Sequence, residues 1–224
     1  TALIAALLLA HIVGPEAVEN SQIVSGAMSR DQAALVFRAA SKMVKLSDRL
    51  RELIRIVPSY KRLIGLRKNV EYQALAAEGK TAHGLSPVLA IMDEVGQIKG
   101  ESDPFVDAII TSQGAYEKPL LLLISTQAAS DRAYLSLEID DALQGKDPHT
   151  VCHLYAAPED CELSDRAAWA AGNPALGMFR SLADVERQAE RAERISAAEP
   201  AFRNLTLNQR FEMFAPFVGR TAWK

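Results

Sequence analysis

The sequence predicts an α/β protein: a mainly parallel, twisted sheet covered by helices, with a small helical lid or linker at its C-terminal end. Three observations carry this. The chain opens as helix, strand and helix in alternation. Two continuous apolar runs, Pro87–Met92 and Leu120–Ile124, lack polar alternation, the pattern of strands buried on both faces of a parallel sheet. Beyond Pro158 no further buried strand is visible, and a charged, amphipathic helical pattern takes over. The expected division is therefore a core over 1–158 and a helical segment over 159–224.

Each element has its own warrant. Ala2–Ala10 is an apolar run that reads as a buried helix, continuing to about Val13 and stopped by Gly14-Pro15. Gln22-Ile23-Val24-Ser25 is a short strand. Ser29-Arg30-Asp31-Gln32 has the capping-box form, with Ser at the N-cap and Gln three residues on. The helix it opens carries Ala34, Leu35, Phe37, Ala40, Met43 and Val44 at helical spacing. Leu53–Ala77 holds three short, partly alternating runs broken at Pro58-Ser59 and Lys68-Asn69, which predicts an antiparallel excursion at the sheet edge. Lys80–Leu85 is a loop. Asp103-Pro104 starts a helix that runs to about Tyr116, a capping carboxylate before Pro at the first helical position. After the Leu120 run come a helix from about Ser130 to Leu143 and a short strand, Val151–Tyr155. The last segment has a short helix (Asp165–Trp169), a turn (Gly172–Gly177), an amphipathic helix (Ser181–Ile195) and a helix from Pro200 to about Asn208.

Bulk properties narrow the class. With 224 residues, 49% of them hydrophobic, one sizeable core is available. A net charge of -3 gives no support for a polybasic nucleic-acid coat, although a local basic patch could still touch DNA. Cys152 and Cys161 show no CxxC spacing, and with His153 they fall short of a zinc ligand set; they read as ordinary thiols of a reducing compartment. Ala2–Ala10 is far short of the roughly 20 apolar residues that span a bilayer, and it lacks the basic region of a signal peptide. No membrane role is expected. Beginning at Thr1 inside a helix and stopping at Trp223-Lys224, the chain reads as a piece of a longer protein.

The chemistry gathers at two strand ends. One apolar strand ends in Asp93-Glu94. Of two such carboxylates, the first can hold a magnesium ion through its water shell and the second can orient or deprotonate an attacking water. In a doubly wound sheet the carboxyl ends of the strands are also where ligands bind. The plain alternative is a core strand followed by a solvated acidic turn. The other strand ends in Ser125-Thr126-Gln127, small polar residues able to sense a phosphate or simply to cap the next helix.

With these residues assembled, the chain resembles the large terminase subunit of tailed bacteriophages, the ATP-driven motor that packages DNA. Thr1-Ala2-Leu3-Ile4-Ala5-Ala6 resembles the helix after the phosphate loop of a P-loop NTPase. Ser25-Gly26-Ala27 and Asp31-Gln32-Ala33 resemble the second strand and its helix. His83-Gly84-Leu85 precedes Ile91-Met92-Asp93-Glu94, and Ile124-Ser125-Thr126-Gln127 resembles the coupling motif. Trp169, Asn173-Pro174 and Leu176-Gly177 resemble the join toward a nuclease domain. The ordered set covers most of the chain. The phosphate loop has the form G-x-x-x-x-G-K-[ST], of which Thr1 would be the last residue.

The resemblance implies ATP and Mg²⁺ as cofactors. Thr1 would place its hydroxyl on the metal, Asp93 would hold the metal and Glu94 would be the general base. Ser125, Thr126 and Gln127 would link the γ-phosphate state to movement. It also implies double-stranded DNA, a small terminase subunit, a portal or procapsid and copies of itself in a ring as partners, in the host cytoplasm. The isolated 224 residues are expected to be a poor ATPase, and no nuclease site is expected within them. Arg62 and Arg67 are candidates for a charge-neutralising arginine, His83 for a loop residue near the nucleotide, and Lys61, Arg62, Arg67 and Lys68 for a basic cluster; the plain alternatives are exposed solubilising arginines, a hydrogen-bonded structural histidine and a solvated edge. The competing functions are a helicase-like P-loop ATPase and a non-catalytic interaction domain that kept the fold.

Overall fold

The computed structural model describes residues 1–27, 30–76 and 84–212. Ser29, the expected N-cap, and His83 lie outside them. The chain packs as two compact units: Thr1–Gln97 with Ser102–Ser125, and Ile98–Glu101 with Thr126–Lys224. Residue 158, where the sequence places the end of the core, lies inside the second.

The first unit is built on a six-stranded sheet. Its strands are β1 (Gln22–Ala27), β2 (Ile54–Val57), β3 (Arg62–Gly65), β4 (Val70–Ala76), β5 (Pro87–Asp93) and β6 (Leu120–Ile124), in the order β2-β3-β4-β1-β5-β6. β4, β1, β5 and β6 run parallel, with Ala27 opposite both Ala76 and Asp93, and Asp93 opposite Ile124. Their carboxyl ends therefore share one edge of the sheet. β3 pairs antiparallel with β4 and β2 antiparallel with β3, as the alternation over Leu53–Ala77 predicts.

Successive strand residues point to opposite faces, so a central strand covered on both sides must be apolar at every position. Between their end residues β1 and β5 meet that condition except at Ser25, whose buried hydroxyl has a hydrogen-bond partner in Tyr72. Ile23, Leu89 and Ile91 pack with helices α1 (Ala2–Val13) and α2 (Arg30–Leu46). Val24 and Ala90 pack with Ile109 of α4 (Pro104–Ser112). Asp103 caps α4, accepting from the N–H groups of Phe105 (2.9 Å) and Val106 (3.1 Å). Gly26 is required because a Cβ there would stand 2.6 Å from the Phe105 ring. Tyr72, wholly buried on β4, shares a hydrogen bond with Ser25 on β1 at 2.7 Å, and burial pushes its phenol pKa well up. A short helix, α3 (Asp48–Leu53), capped by Ser47, precedes β2 and is absent from the sequence reading.

Two expectations are corrected here. The all-apolar run of β6 predicts a central strand buried on both faces, yet β6 is the last strand in the order and is half-buried, with Leu120 38% exposed. Apolar content alone did not distinguish the two positions. Lys61, Arg62, Arg67 and Lys68 do not form one cluster either. Arg62 opens β3, and Arg67 and Lys68 follow its other end, separated by a strand of four residues, roughly 13 Å. Arg62 stacks over Tyr60 and donates to Gln73 (3.2 Å), Lys68 donates to the carbonyl of Ala17 (2.6 Å), and Arg67 is exposed.

The second unit holds α5 (Tyr134–Gln144), α6 (Arg166–Gly172), α7 (Leu182–Arg194) and α8 (Glu199–Leu205), the last three gathered around Leu163, Trp169, Val185, Phe202 and Leu207. α5 starts later than Ser130 because the Ser130 carbonyl is taken by a turn to Ala133 (3.2 Å) and by the Ser136 hydroxyl (2.8 Å). The strand expected at Val151–Tyr155 does not form. Val151 is 76% exposed, and the Tyr155 carbonyl accepts from the Asn208 side chain instead of a ladder. Asn173 bridges the carbonyls of Trp169 (3.0 Å) and Thr206 (2.7 Å), and Gly172 admits the Leu207 carbonyl, which a Cβ would meet at 2.8 Å. No helix of the described residues is long and apolar enough to cross a membrane.

Candidate active site

The parallel edge of the first unit brings Asp93, Glu94 and Ser125 together. Asp93 ends β5. Glu94 carries the ladder one residue further, its N–H donating to Ile124 O at 2.8 Å. The chain then turns. Glu94 has φ +58°, a left-handed conformation unfavourable for a side chain with a Cβ. The Glu94 carbonyl accepts from Gln97 N at 3.0 Å, and Gly96 N donates to Ser125 Oγ at 2.9 Å. The serine at the end of β6 therefore pins the turn that aims Glu94.

The Glu94 carboxylate is held on one oxygen. Gln32 Nε2, from the first turn of α2, and Gln97 Nε2 both donate to Oε2. Oε1 accepts no hydrogen bond from the described residues. Two neutral donors thus orient the carboxylate without an ion pair and leave one oxygen for a water. Asp93, half-buried, has no hydrogen-bond or ion-pair partner for its carboxylate among the described residues. A hard oxygen ligand with no protein partner suits a magnesium ion held through water. Thr1 stands exposed at the N-cap of α1 with no side-chain capping bond, so its hydroxyl is also available.

Thr126 and Gln127 belong to the second unit. Thr126 is exposed. Gln127 is buried, and residues 204–210 meet each of its polar groups: Asn208 Oδ1 accepts from its N–H (2.7 Å), Asn208 O accepts from Nε2, Asn204 Nδ2 donates to its carbonyl (3.0 Å) and Arg210 Nε donates to Oε1 (3.0 Å).

Residues 2–150 match the family described as terminase large subunit, ATPase domain. The chain belongs to that family. The terminase large subunit of Enterobacteria phage HK97 is 61% identical over 224 residues, a match spanning 100% of this chain and 44% of that protein. The crystal structure of the HK97 bacteriophage large terminase is similar with a TM-score of 0.90 at 61% identity, over 99% of this chain and 46% of the other. The chain thus spans less than half the length of these terminase relatives.

The sequence missed the glutamines around Glu94. Gln32 was assigned to a capping box, where its amide would turn back to Ser29. The available signal was topological: β1 lies beside β5, so the first turn of the helix after β1 faces the end of β5. The partners of Gln127, some 80 residues further along this terminase chain, left no pattern to find.

Proposed function

We propose that this chain is the ATPase part of a motor that couples ATP hydrolysis to packaging of double-stranded viral DNA into a capsid. The observation that carries the reading is Glu94: a carboxylate at the end of a parallel strand, gripped on Oε2 by two amides, with no described residue bonded to its Oε1 or to the carboxylate of Asp93 beside it. Glu94 Oε1 accepts a proton from the water that attacks the γ-phosphate, and the amides of Gln32 and Gln97 keep that oxygen aimed. Asp93 and Thr1 would hold Mg²⁺, which supplies charge neutralisation to the phosphates. Ser125, bonded to the turn after Glu94, reports the state of that turn to Thr126 and Gln127.

For the whole protein we propose a nuclease domain beyond residues 159–224, which serve as the linker toward it. Its proposed partners are a small terminase subunit, a portal or procapsid, and further copies in a ring, in the host cytoplasm. Membership of the terminase family supports each of these.

The test is ATP hydrolysis by the full-length parent, with and without linear double-stranded DNA, beside Glu94→Gln. We expect DNA-stimulated turnover that Glu94→Gln lowers by about 10²–10⁴-fold with nucleotide binding retained. A parent that neither binds nor hydrolyses ATP would leave the interaction-domain reading in its place.

A further inference from the structure

Arg210 is the most densely engaged cation among the described residues. Its Nη1 and Nη2 fork onto Asp140 Oδ2 (2.9 Å) and Oδ1 (2.5 Å), Nη1 also faces Asp131 (3.4 Å), Nη2 reaches Ser136 O (3.3 Å), and Nε is left for Gln127 Oε1. A guanidinium presents its donors in a rigid plane, so the bidentate hold on Asp140 dictates where Nε points. The direction decides something at Gln127. With Arg210 donating to Oε1 and the Asn208 carbonyl accepting from Nε2, the amide has one satisfied orientation; flipping it would face donor to donor and acceptor to acceptor. Asn208 reaches this place through a left-handed backbone (φ +55°) that asparagine tolerates.

The chain reaches Gln127 directly from the candidate site. Ser125 accepts from Gly96 in the turn after Glu94; Thr126 intervenes; Gln127 is locked. A second passage runs beside it. The turn Val95–Gln97 leads at Ile98 into the second unit, where Gly100 O accepts from Tyr134 N at 2.8 Å, at the start of the α5 helix that carries Asp140. Both strand ends of the first unit thus hand their chain, within a few residues, to segments that Arg210 and α5 hold.

We propose that Arg210 is a positioning residue for coupling: oriented by Asp140, it locks the Gln127 amide so that a change at Ser125 is passed to the second unit instead of being absorbed by rotation at Thr126 and Gln127. The assignment rests on the hydrolysis reading above. It predicts a defect in coupling and not in turnover.

The experiment uses the full-length parent and compares wild type, Arg210→Lys, Asp140→Asn and Glu94→Gln with ATP, with and without linear double-stranded DNA. Lysine keeps the charge facing Asp140 but cannot fork onto it and donate to Gln127 together. For Arg210→Lys we expect basal kcat, KM for ATP and the melting midpoint to stay within about twofold or a few degrees of wild type, and the DNA-stimulated increment to fall about tenfold. For Asp140→Asn, at a half-exposed side chain, the same change is expected at smaller size. A purely structural role would lower the melting midpoint and leave the stimulation ratio of the folded fraction unchanged; that result, or full stimulation in both variants, overturns the assignment. If Arg210→Lys does not fold, Asp140→Asn is judged by the same criteria. Hydrolysis that survives Glu94→Gln strikes the hydrolysis reading itself, whereas its loss there beside normal stimulation in Arg210→Lys strikes only Arg210. A wild-type parent whose hydrolysis ignores DNA overturns both.

Discussion

The two units are held together by different means. In the first, main-chain ladders and apolar side chains do most of the work: apart from the paired Ser25 and Tyr72, the inner residues of β1 and β5 are apolar, and the polar groups of the candidate site stand at the strand ends. In the second, side-chain amides and guanidinia tie the irregular backbone. Asn173 bridges two carbonyls, Asn204 reaches Gln127 O and Gln209 O, and Gln209 reaches Pro158 O at 2.5 Å while accepting from Arg203 at 3.2 Å. A ladder tolerates changes of side chain as long as the face stays apolar. An amide bridge does not, because its donor and acceptor have specific partners. The first unit should therefore be sensitive to volume and the second to the identity of single polar atoms.

The sharpest way to break that contrast lies in the first core. Ile91 is fully buried on β5, and Ile91→Ala should lower stability by about 3 kcal/mol through lost burial and the residual cavity. Urea unfolding would measure it, and Ile91→Val should recover most of the loss. The counterpart is Asn173→Asp, which conserves volume but removes both donors. A cost of about 2 kcal/mol is expected from the loss of the amide's hydrogen bonds to two carbonyls. If unfolding shows Asn173→Asp to be neutral, the amide account of the second unit fails.

The smallest effect is electrostatic. The hydrogen bond from Arg210 holds the Asp140 carboxyl below the usual carboxylate range, against a smaller upward push from burial. A depressed folded-state pKa adds stability that is complete above the unfolded value, near pH 4, and is lost as pH falls through the folded value. Unfolding followed from pH 6 down to pH 2 should therefore show an acid-side loss that Arg210→Lys reduces. The half-exposed carboxylate keeps the amplitude small.

The same contrast explains what could be read in advance. The parallel core, the antiparallel edge, the Asp103 cap and the Asp93-Glu94 strand end were legible, since each leaves a local pattern of period, turn or cap. β6 was misplaced because a continuous apolar run looks alike in the centre and at an edge. Val151–Tyr155 was misread because its β-branched and aromatic residues suit a strand, while no strand of the described residues pairs with it. Gln32 at Glu94, and Asn204, Asn208 and Arg210 at Gln127, were invisible. A lone amide or guanidinium carries no period, and its partner is named only by the fold.

Glu94 sits in a backbone conformation that favours glycine, at a cost of about 1–2 kcal/mol for any residue with a Cβ. Selection for thermal persistence alone would favour glycine at this codon, whereas the proposed general-base role would hold glutamate there. If that role is right, a relative with glycine directly after the aspartate of this strand should not hydrolyse ATP, and directed evolution on heat resistance without an activity screen should arrive at glycine early.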